Sequence, residues 1–406
     1  MNSIKYLFLL LVFLTSCQES KTDVRGTWRA SVPTVIGDIP FQLTFEGEGD
    51  TLQVYALNGD ERLELDFAYF KDDSLRISME VFDAEIVAKV YGDKMVGTYR
   101  KKLGNLENRQ GVFTAQKGDL PRFLGAAEKV NYQLAEKYAV TFTEPEGDEY
   151  PAIGLFEQEG NEVTGTFLTS VGDYRFLQGN IVGDSLKLSC FDGTHIFLFK
   201  AKIEGDSLVG GRFSSSLQYQ ETWLGVKNDS AELPDAESLT FLKPGYETIS
   251  FSFPNEKGER ISLSDERYND KVVLVQILGS WCPNCMDESK FYAKWLKENP
   301  EAPVEVIGLA YEKKTDPDFA FPKIKRMKER FGMNYEVLLA GLNTGEEAAK
   351  SLPMLNHVMS FPTTIYIDKS GKVRKIHTGF SGPGTGEYYE HFVENFERYM
   401  EKLMAE

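Results

Sequence analysis

From about residue 24 to residue 228 the chain alternates short apolar and polar positions, and the runs are broken by Gly, Asp and Asn every ten residues or so. Alternation with period two predicts half-buried strands, and Gly-Asp and Asn-Gly pairs supply the positive φ that hairpin turns need. Helical periodicity shows only at residues 121–137, PRFLGAAEKVNYQLAEK, where a short helix is expected. Residues 229–248 are polar and acidic and carry two prolines, as a linker does. From residue 249 onward the pattern changes to alternating apolar strands and amphipathic helices, the signature of an α/β domain.

The front region repeats itself. PFQLTFEGEGDTL at 40–52 falls on PAIGLFEQEGNEV at 151–163, an offset of 111. At the same offset Asp73–Ser78 falls on Asp184–Ser189, and at an offset of 113 Gly92-Asp93 falls on Gly205-Asp206. Collinear matches of this kind predict a duplicated antiparallel unit, residues 24–118 and 138–228, each a barrel or sandwich, or the two together one larger barrel. The expected fold is therefore multidomain: duplicated all-β units in front and an α/β domain behind.

Length and charge sharpen this picture. With 406 residues, two or three domains are expected, and 42% hydrophobic residues give each a core. The net charge of −17 leaves no basic surplus for phosphates, so a nucleic-acid partner is excluded. Four cysteines are too few for a disulfide scaffold.

Each cysteine has its own reading. Cys17 ends an apolar run too short to span a bilayer and long enough for a secretory signal. Leu14-Thr15-Ser16-Cys17 resembles a bacterial lipobox. That resemblance makes residues 1–17 a lipoprotein signal peptide and Cys17 a lipid anchor, so the chain would sit on a bacterial membrane and face the periplasm or the cell surface. Cys190 lies in an expected strand and reads as a small buried hydrophobe.

Cys282 and Cys285 carry the chemistry. The apolar run Val272–Leu278 predicts a buried strand, and Gly279-Ser280-Trp281 leads into Cys282-Pro283-Asn284-Cys285 at the start of a helix. Sulfurs three residues apart on a helix can close a redox-active disulfide without moving the backbone. At the helix N-terminus the dipole favours a Cys282 thiolate, which attacks a substrate disulfide, while Cys285 resolves the mixed disulfide. Pro283 suits the first helical position, and Trp281 covers the approach to the sulfurs. A zinc site is disfavoured because Cys17 and Cys190 stand alone and the four histidines show no paired spacing; no metal and no cofactor are expected. A purely structural disulfide would close too tight a loop to add much stability.

Residues 249–406 resemble a thioredoxin-fold domain of the TlpA/ResA-like thiol–disulfide oxidoreductases. The resemblance rests on Phe251–Pro254, Ile261–Asp265, the strand into Trp281-Cys282-Pro283-Asn284-Cys285, and Phe361-Pro362-Thr363-Thr364-Ile365-Tyr366-Ile367-Asp368. It implies a cis peptide at Pro362 that presents the Phe361 backbone beside the sulfurs. It also implies that Glu288 tunes the cysteines, Gln276 standing where thioredoxins carry a buried acid. Trp281, Pro283 and Phe361 would contact the substrate. The implied activity is reduction of disulfides in partner proteins, with an upstream thiol donor restoring the dithiol. Lys290 stands where the class often has a proline, and the Pro-Asn interior of the motif is another departure; both leave the redox potential open. The rival reading is a ligand-binding lipoprotein whose acidic β module is the functional part. A thiol peroxidase fits less well, because such enzymes use a single peroxidatic cysteine.

Overall fold

A computed structural model describes residues 23–103, 106–123, 125, 130–193 and 195–406. The signal segment and Cys17 lie outside the described residues.

The first β unit contains β1 (Gly26–Thr34), β2 (Gly37–Glu46), β3 (Gln53–Asn58), β4 (Glu61–Glu64), β5 (Phe67–Lys71), β6 (Ser74–Met79), β7 (Ala84–Tyr91), β8 (Lys94–Leu103) and β9 (Leu106–Lys117). The second contains β10 (Lys137–Thr143), β11 (Glu149–Glu159), β12 (Glu162–Thr169), β13 (Gly172–Asp173), β14 (Leu177–Val182), β15 (Ser185–Phe191), β16 (Ile196–Glu204), β17 (Ser207–Ser215) and β18 (Tyr219–Lys227). Every ladder in both is antiparallel. The first sheet runs β4-β3-β2-β1-β9-β8-β7-β6-β5, and the second follows the same order with β10 in the place of β1 and β18 in the place of β9. The duplication read from the sequence is thus a duplication of topology.

The two units differ at one seam. In the second, Glu162–Gly165 of β12 pairs with Leu177–Asn180 of β14, and β12 also pairs with β11, so the sheet closes on itself. In the first, β4 and β5 end the order and a groove of about 640 Å³ runs between them, lined by Leu52, Leu65, Phe67 and Tyr69. The closed barrel is filled with rings: Phe199 lies 4.3 Å from Phe213 and 4.7 Å from Phe167, and Phe142 packs on Trp223 at 6.2 Å. That interior is packed core, so it offers no support to a ligand held within the second barrel.

The units share a boundary sealed by Arg122. Its guanidinium is buried and donates to Gln42, Asn58 and Leu57 of the first unit and to Gln178 and Ser189 of the second. This arrangement corrects the helix expected over 121–137: its described residues form no helix, and Lys137 already belongs to β10. The apolar residues there serve anchoring instead, with Phe123 and Leu134 buried in different clusters.

The linker is tied down. It forms the short helix α1 (Ala236–Leu239), and Leu242 bridges to Leu355. The C-terminal domain begins with the hairpin β19 (Ser252–Pro254) and β20 (Arg260–Ser262). Its sheet contains β21 (Val272–Leu278), β22 (Val304–Glu312), β23 (Glu336–Leu342), β24 (Thr363–Ile367) and β25 (Val373–Thr378), in the order β23-β22-β21-β24-β25. The first three are parallel, β24 runs antiparallel to β21, and β25 runs antiparallel to β24. Helices α2 (Pro283–Glu298), α3 (Pro317–Phe331), α4 (Gly345–Ser351) and α5 (Glu387–Ala405) connect and cover the sheet. This is the thioredoxin fold. Every residue of β21 is buried, Gln276 among its apolar neighbours included. The strand therefore delivers the head of α2 to the carboxyl end of the sheet.

Candidate active site

Cys282 is the N-cap of α2. Its Sγ accepts the Cys285 backbone N–H at 3.3 Å, so the sulfur does the work usually given to a Ser or Asp oxygen. Pro283 occupies the first turn, where its missing N–H costs nothing. Both cysteines are free thiols, Cys285 fully buried and Cys282 only 6% exposed. The Cys282 sulfur lies under neighbouring segments, the Phe361–Pro362 pair among them. Burial, then the hydrogen bond with Cys282, holds the Cys285 thiol well above its ordinary pKa.

The peptide bond between Phe361 and Pro362 is cis. The Cys282 thiol lies 3.3 Å from the Phe361 carbonyl oxygen and donates to it. The Phe361 ring meets Trp281 edge-on at 5.6 Å and Tyr311 at 5.7 Å, while the Trp281 indole N–H donates to the Tyr311 carbonyl at 2.9 Å. Trp281, Phe361 and Tyr311 thus form one aromatic cluster beside the motif.

Glu288 lies one helical turn beyond Cys285 and is fully buried. It accepts hydrogen bonds from Gln276 at 2.7 Å, Thr364 at 2.9 Å and Tyr292 at 3.2 Å. Burial raises its pKa to about 7, the three hydrogen bonds pulling the other way. A carboxyl group half-ionised near neutrality beside a thiol of raised pKa can take and return a proton.

Three residues escaped the sequence reading. Glu312, at the end of β22, accepts the Ser280 backbone N–H at 2.7 Å and its hydroxyl at 2.8 Å, and burial raises its pKa to about 7. An acid closing a run of buried apolar residues was the available signal. Arg175 and Asp173 come from the second β unit and left no sequence signal. Arg175 is buried among Glu61 of the first unit at 2.5 Å, Asp192 of the second at 3.4 Å, and Asp287 of α2. Burial lowers the pKa of the guanidinium, and these carboxylates more than offset it. Cys190 is buried in β15, away from the pair. Among the described residues no group of three His, Cys, Asp or Glu side chains could hold a metal ion, and no helix is long and apolar enough to cross a membrane.

Residues 244–376 match the AhpC/TSA family. The thiol–disulfide oxidoreductase ResA of Halalkalibacterium halodurans is 26% identical over 156 residues, covering 38% of this chain and 78% of that protein. The C-terminal domain is similar to ResA-type thiol–disulfide oxidoreductases. The thiol:disulfide interchange protein DsbE of Allochromatium vinosum is 27% identical, covering 38% of this chain and 74% of its own. A solved thiol–disulfide oxidoreductase from Bacteroides fragilis is 21% identical and covers 36% of this chain and 99% of its own, with a TM-score of 0.28. The family match begins at residue 244 and leaves both β units outside it.

Proposed function

We propose that the protein reduces disulfides of partner proteins through the Cys282–Cys285 dithiol, in an extracytoplasmic compartment and anchored by lipid at Cys17. The observation that carries the reading is the contact of Cys282 with the carbonyl of Phe361 at the cis-proline, with the buried Glu288 one turn behind Cys285.

The Cys282 sulfur, as thiolate, attacks one sulfur of the substrate disulfide. A mixed disulfide forms as the substrate S–S bond breaks, and the other substrate sulfur leaves as a thiolate that takes from solvent the proton Cys282 gave up. The Cys285 thiol then passes its proton to the Glu288 carboxylate and attacks the Cys282 sulfur. The second substrate sulfur leaves as a thiol, taking the proton back from Glu288, and the Cys282–Cys285 disulfide remains. Because the proton moves to Glu288 as the Cys285 thiolate forms, the buried pocket holds one negative charge rather than two during this resolving step. Two electrons pass to the substrate, and an upstream thiol donor supplies two to restore the dithiol. Trp281, Pro283 and Phe361 border the sulfur and would contact the substrate.

Reduction of insulin in the presence of dithiothreitol tests the reading. Wild-type protein accelerates it and Cys282→Ala does not; equal rates for the two would remove the assignment.

A further inference from the structure

The turn between β12 and β13 belongs to the second β unit, yet it touches the CxxC end of α2, the loop ahead of the cis-proline and the loop after β25. Ser360, next to the cis-proline pair, donates its hydroxyl to the Val171 carbonyl at 2.7 Å. Asn284, inside the CxxC motif, donates its amide to the Asp173 carbonyl at 3.2 Å. Gly382, in the loop after β25, donates its N–H to the Asp173 carboxylate at 2.6 Å. The approach is close elsewhere too: a Cβ added at Gly379 would stand 3.0 Å from the Val171 carbonyl carbon, and one at Gly172 would stand 2.1 Å from the Asn284 amide nitrogen.

The turn is stiff. Thr169 Oγ1 donates to the Gly172 carbonyl at 2.9 Å and accepts the Val171 N–H at 3.3 Å. Asp173 also accepts the Arg175 N–H at 2.6 Å, and the Arg175 side chain is locked among its three carboxylates. A stiff turn braced on these three segments narrows the approach to a sulfur that is itself only 6% exposed.

We propose that the Ser170–Asp173 turn is a wall of the substrate site and sets its specificity. Disulfides carried on extended, unencumbered segments reach Cys282, and cystines held within folded domains are turned away. Val171 and Asp173 are the residues that define this wall. The inference rests on the reductase reading for the use of the site, and not for the geometry of access.

The test uses the full chain and two substrates: an extended peptide with one intermolecular disulfide, and a folded, disulfide-bonded ribonuclease. Asp173→Ala removes the acceptor for Gly382 and Arg175, and Gly172→Ala drives the turn against Asn284. Either variant, its fold checked by circular dichroism, is expected to raise kcat/KM for the folded substrate about tenfold, the equivalent of one charged hydrogen bond. The peptide's kcat/KM gains much less, so the ratio between the two substrates moves with the folded one. Equal shifts for both substrates, or none, overturn the proposal.

Alkylation of Cys282, read by mass spectrometry, separates this result from the activity itself. Iodoacetamide reacts at similar rates in all forms, and a maleimide on a polyethylene glycol chain reacts faster in the variants only. If neither substrate is reduced but the bulky reagent still gains access, the reductase reading falls and the wall stands; an unchanged rate with the bulky reagent overturns the wall.

Discussion

Gln276 donates its side-chain amide to the Glu288 carboxylate at 2.7 Å, across the interface between β21 and α2. The amide keeps the buried acid oriented without adding a second charge. Glu288 is thereby left as the titrating group behind the cysteine pair, with its pKa raised to about 7 by burial. Turnover should therefore rise through pH 7 as Glu288 ionises and can accept the Cys285 proton. Glu288→Gln removes that inflection and lowers the rate about 10²-fold, the usual worth of a positioned proton carrier. Rates of insulin reduction between pH 5 and about 9 check it; an inflection that survives the substitution assigns it to another group.

Cys285→Ala should trap mixed disulfides, because Cys282 can still attack while nothing within reach resolves the product. Non-reducing electrophoresis after exposure to a disulfide substrate should show an adduct that dithiothreitol releases. Cys282→Ala should show none.

Glu312 makes a separate prediction about stability. Its folded pKa of about 7 lies above the ordinary 4.5, so the folded state binds its proton more tightly than the unfolded chain does. Stability from this group is complete below pH 4.5 and is lost as pH rises through 7, by about 3 kcal/mol at most. Urea denaturation across this range should show a shallower fall for Glu312→Gln than for wild type. A parallel fall in both would mean that Glu312 does not titrate in this window.

Arg175→Met should destabilise the protein by about 3–5 kcal/mol, because it strands buried carboxylates from both β units and from α2. The loss should appear in urea denaturation. Substituting Glu61 in the same background should then cost little more, since its partner is already gone.

The difference between the two seams predicts different protection. Backbone amides of β14 that face β12 should exchange with deuterium slowly, and those on the free edge of β5 quickly. Hydrogen exchange followed by mass spectrometry resolves the two segments.

The sequence made some of these features legible and not others, for physical reasons. A short apolar run rich in Val and Ile, broken only by Gln276 and ended by Gly279, reads as a buried strand, so β21 and the placement of Cys282 at the head of α2 were legible. The repeat was readable because each hairpin turn demands Gly, Asp or Asn at a fixed place, and those residues recur in register. The seam was not readable, since β12–β14 pairing depends on how far two strands overlap rather than on residue type. Arg122 and Arg175 were invisible for a related reason: each is a lone cation in turn-rich sequence, and its partners are brought up from distant strands. Residues 121–137 misled because their apolar positions suit a helix face, whereas the chain uses them to anchor a connection between two sheets.

Arg122 also dictates where the molecule can be cut. A fragment ending after β9, or one starting at β10, would leave the carbonyls and amides that now surround its guanidinium unanswered on a raw face. Limited proteolysis or truncation aimed at a soluble, well-behaved piece therefore has to keep the two sheets together.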